Sequence, residues 1–433
     1  MRIAVLLAAA CLLPPGLAAQ DTLQGGVRIG ITYTPGRRAA LAVARIGAGA
    51  AVDGADAIIQ RDLDQSDRFD LVRAPVQDRR DTTAAAVLAR VAGSRAADVL
   101  VVVEPMGGRT VVTAWDVARN TVLHRQELAD VELPAGRRRV HAAADAIAGA
   151  ATGQPGTAAT QILFVRAGGL MRVDADGQGR AEVRAAGNPA LSPAWAPDGR
   201  RIAYTAFVRS GQPIVLQDLA SGRRTIVPTT ETALNITPAF APDGRRLAFA
   251  RGTEAGTDIY LSEVSGLEAG PPQRLTVGRF ADNLSPAWSH DGTRIAFIST
   301  RARTPQLYVM AADGTGQEVL ARFDYGATGT TSAPSWSPDG QFIAFHREVD
   351  GAPQLFVVDV ATRAVRQLTG SGRNEDPAWA PDSRHLVFVS SRTGTRELWV
   401  LDLETGRLRQ LTAVGGARLP AWSPRLSAEG TPE

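Results

Sequence analysis

The 433-residue chain contains no lysine; all 47 basic residues are arginine. Against 44 acidic residues they leave a formal charge of only +3, and they are scattered in ones and twos. A nucleic-acid surface concentrates its cations in a stripe, so no nucleic-acid partner is expected. The one triple, Arg137-Arg138-Arg139, has no aromatics interleaved and reads as a solvated helix start. Cysteine is nearly absent too, with Cys11 alone. No apolar run reaches the roughly 20 residues of a membrane-spanning helix.

The position of Cys11 matters more than its number. Residues 1–19 carry one basic residue, an apolar run from Ile3 to Leu13, a Pro-Pro-Gly break and then small residues. That is the layout of a secretory signal peptide cleaved after Ala18 or Ala19. The alternative, a lipoprotein acylated at Cys11, leaves an apolar region of only Ile3 to Ala10. Cleavage removes Arg2 and no acid, taking the charge from +3 to +2. It also removes the only thiol, which excludes redox chemistry and thiolate metal sites from the exported chain. A soluble exported monomer is expected, with 44% apolar residues supporting two or three packed domains.

What is abundant is a repeat. SPAWAPDGRRIAY begins at Ser192, TPAFAPDGRRLAF at Thr237, SPAWSHDGTRIAF at Ser285, APSWSPDGQFIAF at Ala333 and DPAWAPDSRHLVF at Asp376, and a truncated LPAWSP begins at Leu419. The anchors Trp195, Phe240, Trp288, Trp336, Trp379 and Trp422 are spaced 45, 48, 48, 43 and 43 residues apart. A period of 40–50 residues built from short strands indicates propeller blades. Within each unit the Pro-Asp-Gly triplet supplies turn chemistry and joins two strands as a hairpin. A third strand (DIYLSEV, QLFVVDV, ELWVLDL) and a short fourth (QRLT, RQLTG, RQLTA) complete four per blade. The tryptophans are expected to pack between blades.

The ends of the array are complementary. The last motif stops at Pro424 without its second strand, whereas ILFVR at 162–166 is a second-type strand with no motif before it. The two are expected to pair, closing six blades into a ring without unpaired edges. The resulting division is a signal peptide (1–19), an N-terminal arm (20–26), an α/β domain (27–155), a linker (156–161), an all-β six-bladed propeller (162–424) and a tail (425–433). In the α/β domain, Val27, Ile29 and Ile31 alternate as a strand, and Val52, Ala55, Ile59 and Leu63 recur at helical spacing. Phe69–Val72 is a short strand, Thr82–Val91 a helix, and Val99–Val103 a strand covered on both faces. Val111–Trp115 and Thr121–Leu128 form a hairpin, and Val140, Ala143, Ala144 and Ile147 mark a last helix.

Catalytic signatures are missing: no nucleophile elbow, no paired zinc histidines and no phosphate loop. The histidines 124, 141, 290, 346 and 385 are isolated, and His290 and His385 are expected at the surface of blade turns. Asp174-Ala-Asp176-Gly177 reads as an ordinary turn rather than a calcium loop, because the distal glutamate is lacking. Asn374-Glu375-Asp376 reads as a rim charge cluster. Eleven residues follow Trp422, so no hydrolase domain is expected behind the propeller. No cofactor, metal or catalytic residue is expected, and the chain is read as a non-enzyme.

Taken with the signal peptide and the α/β domain, these repeats resemble the TolB family of the Tol–Pal envelope system. The join AADAIAGAATGQPGTAATQILFV (143–165) is similar to the family's stretch between the first domain and the propeller. IIQRDLDQSDRF (58–69) is similar to its first-domain helix, Ile-Ile-x-x-Asp-Leu-x-x-Ser-Gly-x-Phe, with Asp67 standing where the family usually has glycine. The resemblance implies a periplasmic adaptor that supports outer-membrane integrity and envelope constriction in cell division. It implies a Pal-like lipoprotein bound at one propeller face, through Leu234, Asn235, Ile236 and Thr237, through Asp282, Asn283, Leu284 and Ser285, through Thr330 and Thr331, and through Asn374 and Glu375. Leu234 departs from the His-Asn pair that better-studied members carry. A TolA-like inner-membrane protein is implied at the arm: Gln20, Asp21, Thr22, Leu23, Gln24, Gly25 and Gly26. Independently of the family, loops leading into the innermost strands line one mouth of a propeller. Here they are rich in Asn and Thr, which hydrogen-bond partners without the desolvation cost of charges. Two rivals stay open: a secreted propeller enzyme acting in the channel, and a carbohydrate or peptidoglycan binder using exposed aromatics.

Overall fold

The computed structural model describes residues 38–74, 83–129, 131, 134–229, 233–278, 280–321 and 329–426. The expected signal peptide, the arm at 20–26 and the strand at Val27, Ile29 and Ile31 lie outside the described residues.

In the α/β domain, strands β1 (Ala39–Arg45), β2 (Phe69–Arg73), β3 (Val99–Met106), β4 (Arg109–Asp116) and β5 (Thr121–Leu128) form one sheet in the order β2-β1-β3-β4-β5. β1 runs parallel to β2 and β3, and the last three strands form antiparallel pairs. Helices α1 (Ala50–Gln65) and α3 (Pro134–Thr152) cover one face, and α2 (Ala84–Ser94) the other. Val99, Val101 and Val103 therefore pack under α1 and α3 while Leu100 and Val102 pack under α2, which explains the uninterrupted apolar run. Thr83 starts α2 as its N-cap, accepting the Ala86 N–H at 3.3 Å.

Six blades follow, with innermost strands Ala190–Trp195, Asn235–Phe240, Asn283–Trp288, Thr331–Trp336, Asn374–Trp379 and Ala417–Trp422. The sixth blade is completed from the other end of the chain: Trp422 pairs with Ile162 and Ala417 with Arg166, before Gly169–Asp174 and Ala181–Val183. Beyond the ladder, Ser423 N–H donates to the Gln161 carbonyl at 2.8 Å and Leu426 N–H to that of Ala159 at 2.9 Å. The Pro-Asp-Gly turns work as their residues dictate. Asp198 accepts the N–H groups of Arg200 and Arg201, and Gly199 takes φ 61. The indoles stitch neighbouring blades: Trp195 donates to the Ala421 carbonyl, Trp288 to that of Ala239 and Trp379 to that of Ser335, all at 3.0–3.1 Å.

The join between α3 and the first propeller strand is a packed joint. Buried Asp145 accepts the N–H groups of Ala158 at 2.7 Å and Ala159 at 2.8 Å, and burial still pushes its carboxyl up to about 7. Trp422 donates its indole N–H to Thr160 Oγ1 at 2.7 Å, tying the joint to ring closure.

The α/β domain sits on the turn face of blades five and six through a charged interface. Arg61 reaches Asp176 at 2.8 Å, and Arg137 binds both Asp174 and Asp176, so the Asp174–Gly177 turn is a docking point. Arg407 pairs with Asp64 at 2.7 Å and Asp67 at 3.0 Å, while Arg384 donates to both oxygens of Asp402 and to the Asp67 carbonyl. Asp67, in the family's glycine position, takes φ 55 and turns its carboxylate into this cluster. His385 corrects the expectation of a surface histidine. It is 1% exposed, with Nδ1 2.8 Å from Asp382 and Nε2 3.3 Å from Asp67. Burial alone would depress its pKa, but the carboxylates of Asp382 and Asp67 outweigh it and raise it to about 9.

A histidine raised from 6.5 to about 9 contributes stability that is complete below pH 6.5 and lost as pH rises through 9. At about 1.4 kcal/mol per pKa unit, the full contribution is about 3 kcal/mol. His385→Asn should lower unfolding free energy by roughly that amount at pH 6, with the gap to the native chain closing by pH 10. Denaturant unfolding across pH checks it; a gap independent of pH would contradict the imidazolium assignment.

Candidate binding face of the propeller

The innermost strands all begin at the mouth opposite the α/β domain. Residue by residue, the expected contact positions there divide into two kinds. Asn235, Asn283, Asn374 and Thr331 are at most 1% exposed, so they cannot offer appreciable surface to a partner. Leu234 and Thr330 are exposed, while Ile236, Thr237, Asp282, Leu284, Ser285 and Glu375 are half-buried.

The buried asparagines have a common job. Asn283 donates to Asp258 Oδ1 at 2.9 Å and accepts Arg301 Nη2 at 2.9 Å. Asn374 donates to Gln354 Oε1 at 2.9 Å and accepts Arg392 Nη2 at 2.9 Å. Asn235 donates to Thr229 Oγ1 and accepts Arg251 Nε at 2.8 Å. Each arginine lies over two aromatic rings of its blade: Arg251 over Phe249 and Tyr260, Arg301 over Phe297 and Tyr308, Arg392 over Phe388 and Trp399. The fourth strand joins in, with Thr276 donating to Asp258 at 2.7 Å and Thr369 to Gln354 at 2.8 Å. These networks fix the starts of the innermost strands at Asn235, Asn283 and Asn374.

The recurring Asn-to-Arg spacing of 16 or 18 residues was the available sequence signal for this network. Two other rim residues carried no pattern at all. Phe280 is 93% exposed and Val277 71% exposed, on the loop leading into Asn283. With Leu234 they put apolar side chains among polar loops, as protein-binding rims do. Asp282 fixes this loop by accepting the Thr257 N–H at 3.0 Å, and Glu375 pairs with Arg396 at 2.9 Å.

Below the rim, the channel is a cavity of about 550 Å³ lined by all six innermost strands. Ser192, Thr237, Ser285, Ala333, Asp376 and Leu419 occupy equivalent places, each at φ 50–56 ahead of a proline, and each blade's ladder slips register there. Asp376 is the one carboxylate among these lining residues, and burial raises it to about 6. His346 lies beside it, pushed down to about 4 by burial, and its Nδ1 already accepts the Asp376 N–H at 3.1 Å. The other five equivalent positions are hydroxyl or apolar residues, so among the described lining residues no second acid faces this pair.

Among the described residues, two groups of side chains have donor sets that suit a metal: Asp67 with His385 and Asp402, and His141 with Asp174 and Asp176. Every carboxylate in them is already bonded to a guanidinium or an imidazole, which makes them parts of the domain interface.

The molecule is thus a six-bladed propeller with a small α/β domain docked on its turn face, and the described residues of that domain leave the loop-rimmed mouth uncovered. The family model for the TolB beta propeller domain matches residues 149–326 and 316–431, and the chain belongs to that family. It is 33% identical over 192 residues to the Tol-Pal system protein TolB of Methylococcus capsulatus, covering 41% of this chain and 44% of that one. It is 41% identical over 95 residues to the protein of the same name from Xanthomonas campestris pv. campestris, covering 20% and 22%. The matched stretches therefore span less than half the length of these curated relatives. The crystal structure of TolB from Acinetobacter baumannii superposes with a TM-score of 0.74 at 24% identity, over 92% of this chain and all of that one, a likeness of fold. Among the described residues no helix is long and apolar enough to cross a membrane.

The two kinds of rim residue should separate by experiment. Asn283→Ala removes the acceptor of Arg301 Nη2 and one of the donors to Asp258 Oδ1, at a cost of about 1–3 kcal/mol. Phe280→Ser touches no core and should stay within about 0.5 kcal/mol of the native chain. Urea midpoints measure both; equal midpoints would remove the structural role given to the asparagine.

Proposed function

We propose that this chain is a non-enzymatic periplasmic adaptor of the Tol–Pal system. Its propeller mouth binds a Pal-like lipoprotein, its arm at 20–26 binds a TolA-like inner-membrane protein, and the two links support outer-membrane integrity and constriction during division. The observation that carries this reading is the open mouth itself. On a chain of this family, the docked domain covers part of one face of the propeller, while the described residues of the other face expose Leu234, Val277, Phe280 and Thr330. Apolar anchors among satisfied polar groups favour a protein partner over a small substrate. The buried asparagines act by fixing the strand starts, and the contacts fall to the exposed and half-buried residues. The channel-enzyme alternative rests on Asp376 and His346, and the imidazole nitrogen nearest the carboxylate is already engaged as an acceptor.

Calorimetric titration with the soluble domain of the Pal homologue from the same organism tests the reading. Saturable one-to-one binding is expected, weakened at least tenfold by Leu234→Asp or Phe280→Asp with the unfolding midpoint unchanged. Absence of binding between two well-folded proteins would overturn it and turn attention to the channel.

A further inference from the structure

We propose that the cleft between the α/β domain and blades four and five is a binding site for an oxyanion, a carboxylate or a phosphate, held by the guanidinium groups of Arg68 and Arg366. The cleft encloses about 890 Å³ on the turn face, away from the open mouth. Arg68 comes from the α/β domain, just before β2. Arg366 comes from the outermost strand of blade four, Val365–Gln367, and Arg425 follows the closing strand. Pro338, Phe342, Pro381 and Leu403 supply an apolar wall.

The nitrogens make the case. The Nε atoms of Arg68 and Arg366 are both buried and have no hydrogen-bond partner among the described residues. A guanidinium N–H left unpaired in a buried place is costly, and Nε with a neighbouring Nη forms the planar fork that fits two oxygens of a carboxylate or phosphate. The acids lining the cleft are committed elsewhere. Asp382 holds His385 at 2.8 Å, Glu404 holds Arg384 at 2.7 Å, and Asp339 closes its own turn by accepting Ser337 Oγ and the Gln341 N–H. Asp382 reaches Arg68 only at 3.5 Å. Burial lowers the pKa of both arginines: nothing offsets it at Arg366, and at Arg68 the charges of Asp382 and Glu404 offset it only in part while those of Arg384 and Arg425 add to it. An oxyanion bound between the two side chains would give both guanidinium groups an acceptor. It would also bridge the two domains, so binding should stiffen the joint between them.

The test titrates the exported full-length chain with sodium phosphate and, separately, with sodium benzoate, a carboxylate on an apolar body, at ionic strength held constant with chloride. The readouts are melting temperature and the arginine 15Nε–1H resonances of the unaltered chain. A saturable rise in melting temperature, with shifts of the Arg68 and Arg366 resonances, is expected for at least one anion. Response to phosphate alone identifies a phosphate-type ligand, and response to benzoate alone a carboxylate. Arg366→Gln should weaken binding at least tenfold and leave the melting temperature of the free protein unchanged. No saturable response to either anion, or binding unaffected by Arg366→Gln, would overturn the proposal.

Discussion

Closure of the ring by the two ends of the propeller sequence is the constraint from which the rest of the architecture follows. Ala417–Trp422 supplies the innermost strand of the sixth blade and Gln161–Arg166 its second. A second strand begins where a Pro-Asp-Gly turn would deliver it, so the chain must come into the propeller from the turn face. Whatever precedes Gln161 is thereby placed on that face. The α/β domain has no other place to dock within the length of the 153–160 joint, and the opposite mouth stays clear of it.

Once placed there, the domain is held by charge more than by apolar contact. Asp64, Asp67, Asp174, Asp176, Asp382 and Asp402 meet Arg61, Arg137, Arg384, Arg407 and a protonated His385. Buried ion pairs contribute little to net stability but are costly to break, which suits an interface that must hold one orientation. The six blades share their turns and packing residues, and they differ at particular places: His385 and Arg384 under the docked domain, Asp376 in the channel, Phe280 and Leu234 on the rim.

Much of this was legible in the sequence, for identifiable reasons. A repeat writes the same strand and turn chemistry six times, so the blades, their hairpins and the closing pair Ile162–Trp422 could be read from spacing alone. Val99–Val103 announced a strand covered on both faces. Strand β1, AALAVAR, escaped notice because alanine is a weak strand former and its alternation is faint, although it is central to the sheet. His385 was misplaced because its burial comes from Asp67, more than 300 residues away, and local sequence carries no trace of such a contact. The family resemblance, with loop composition in support, implies the rim asparagines as partner contacts. Only the structure reveals that the arginines 16 or 18 residues later consume their hydrogen-bonding capacity. Phe280 and Val277 belong to no pattern, so only their exposure distinguishes them.

Hydrogen–deuterium exchange of the full chain, alone and saturated with the Pal-like domain, tests most directly the claim that the open mouth is the working face. Added protection should be confined to the loops ahead of Asn235, Asn283, Thr331 and Asn374, with the turns around Asp382 and Asp402 unchanged in their amide exchange. Protection gained at those turns and absent from the rim would show that the partner uses the opposite face, and would contradict the functional reading of the fold.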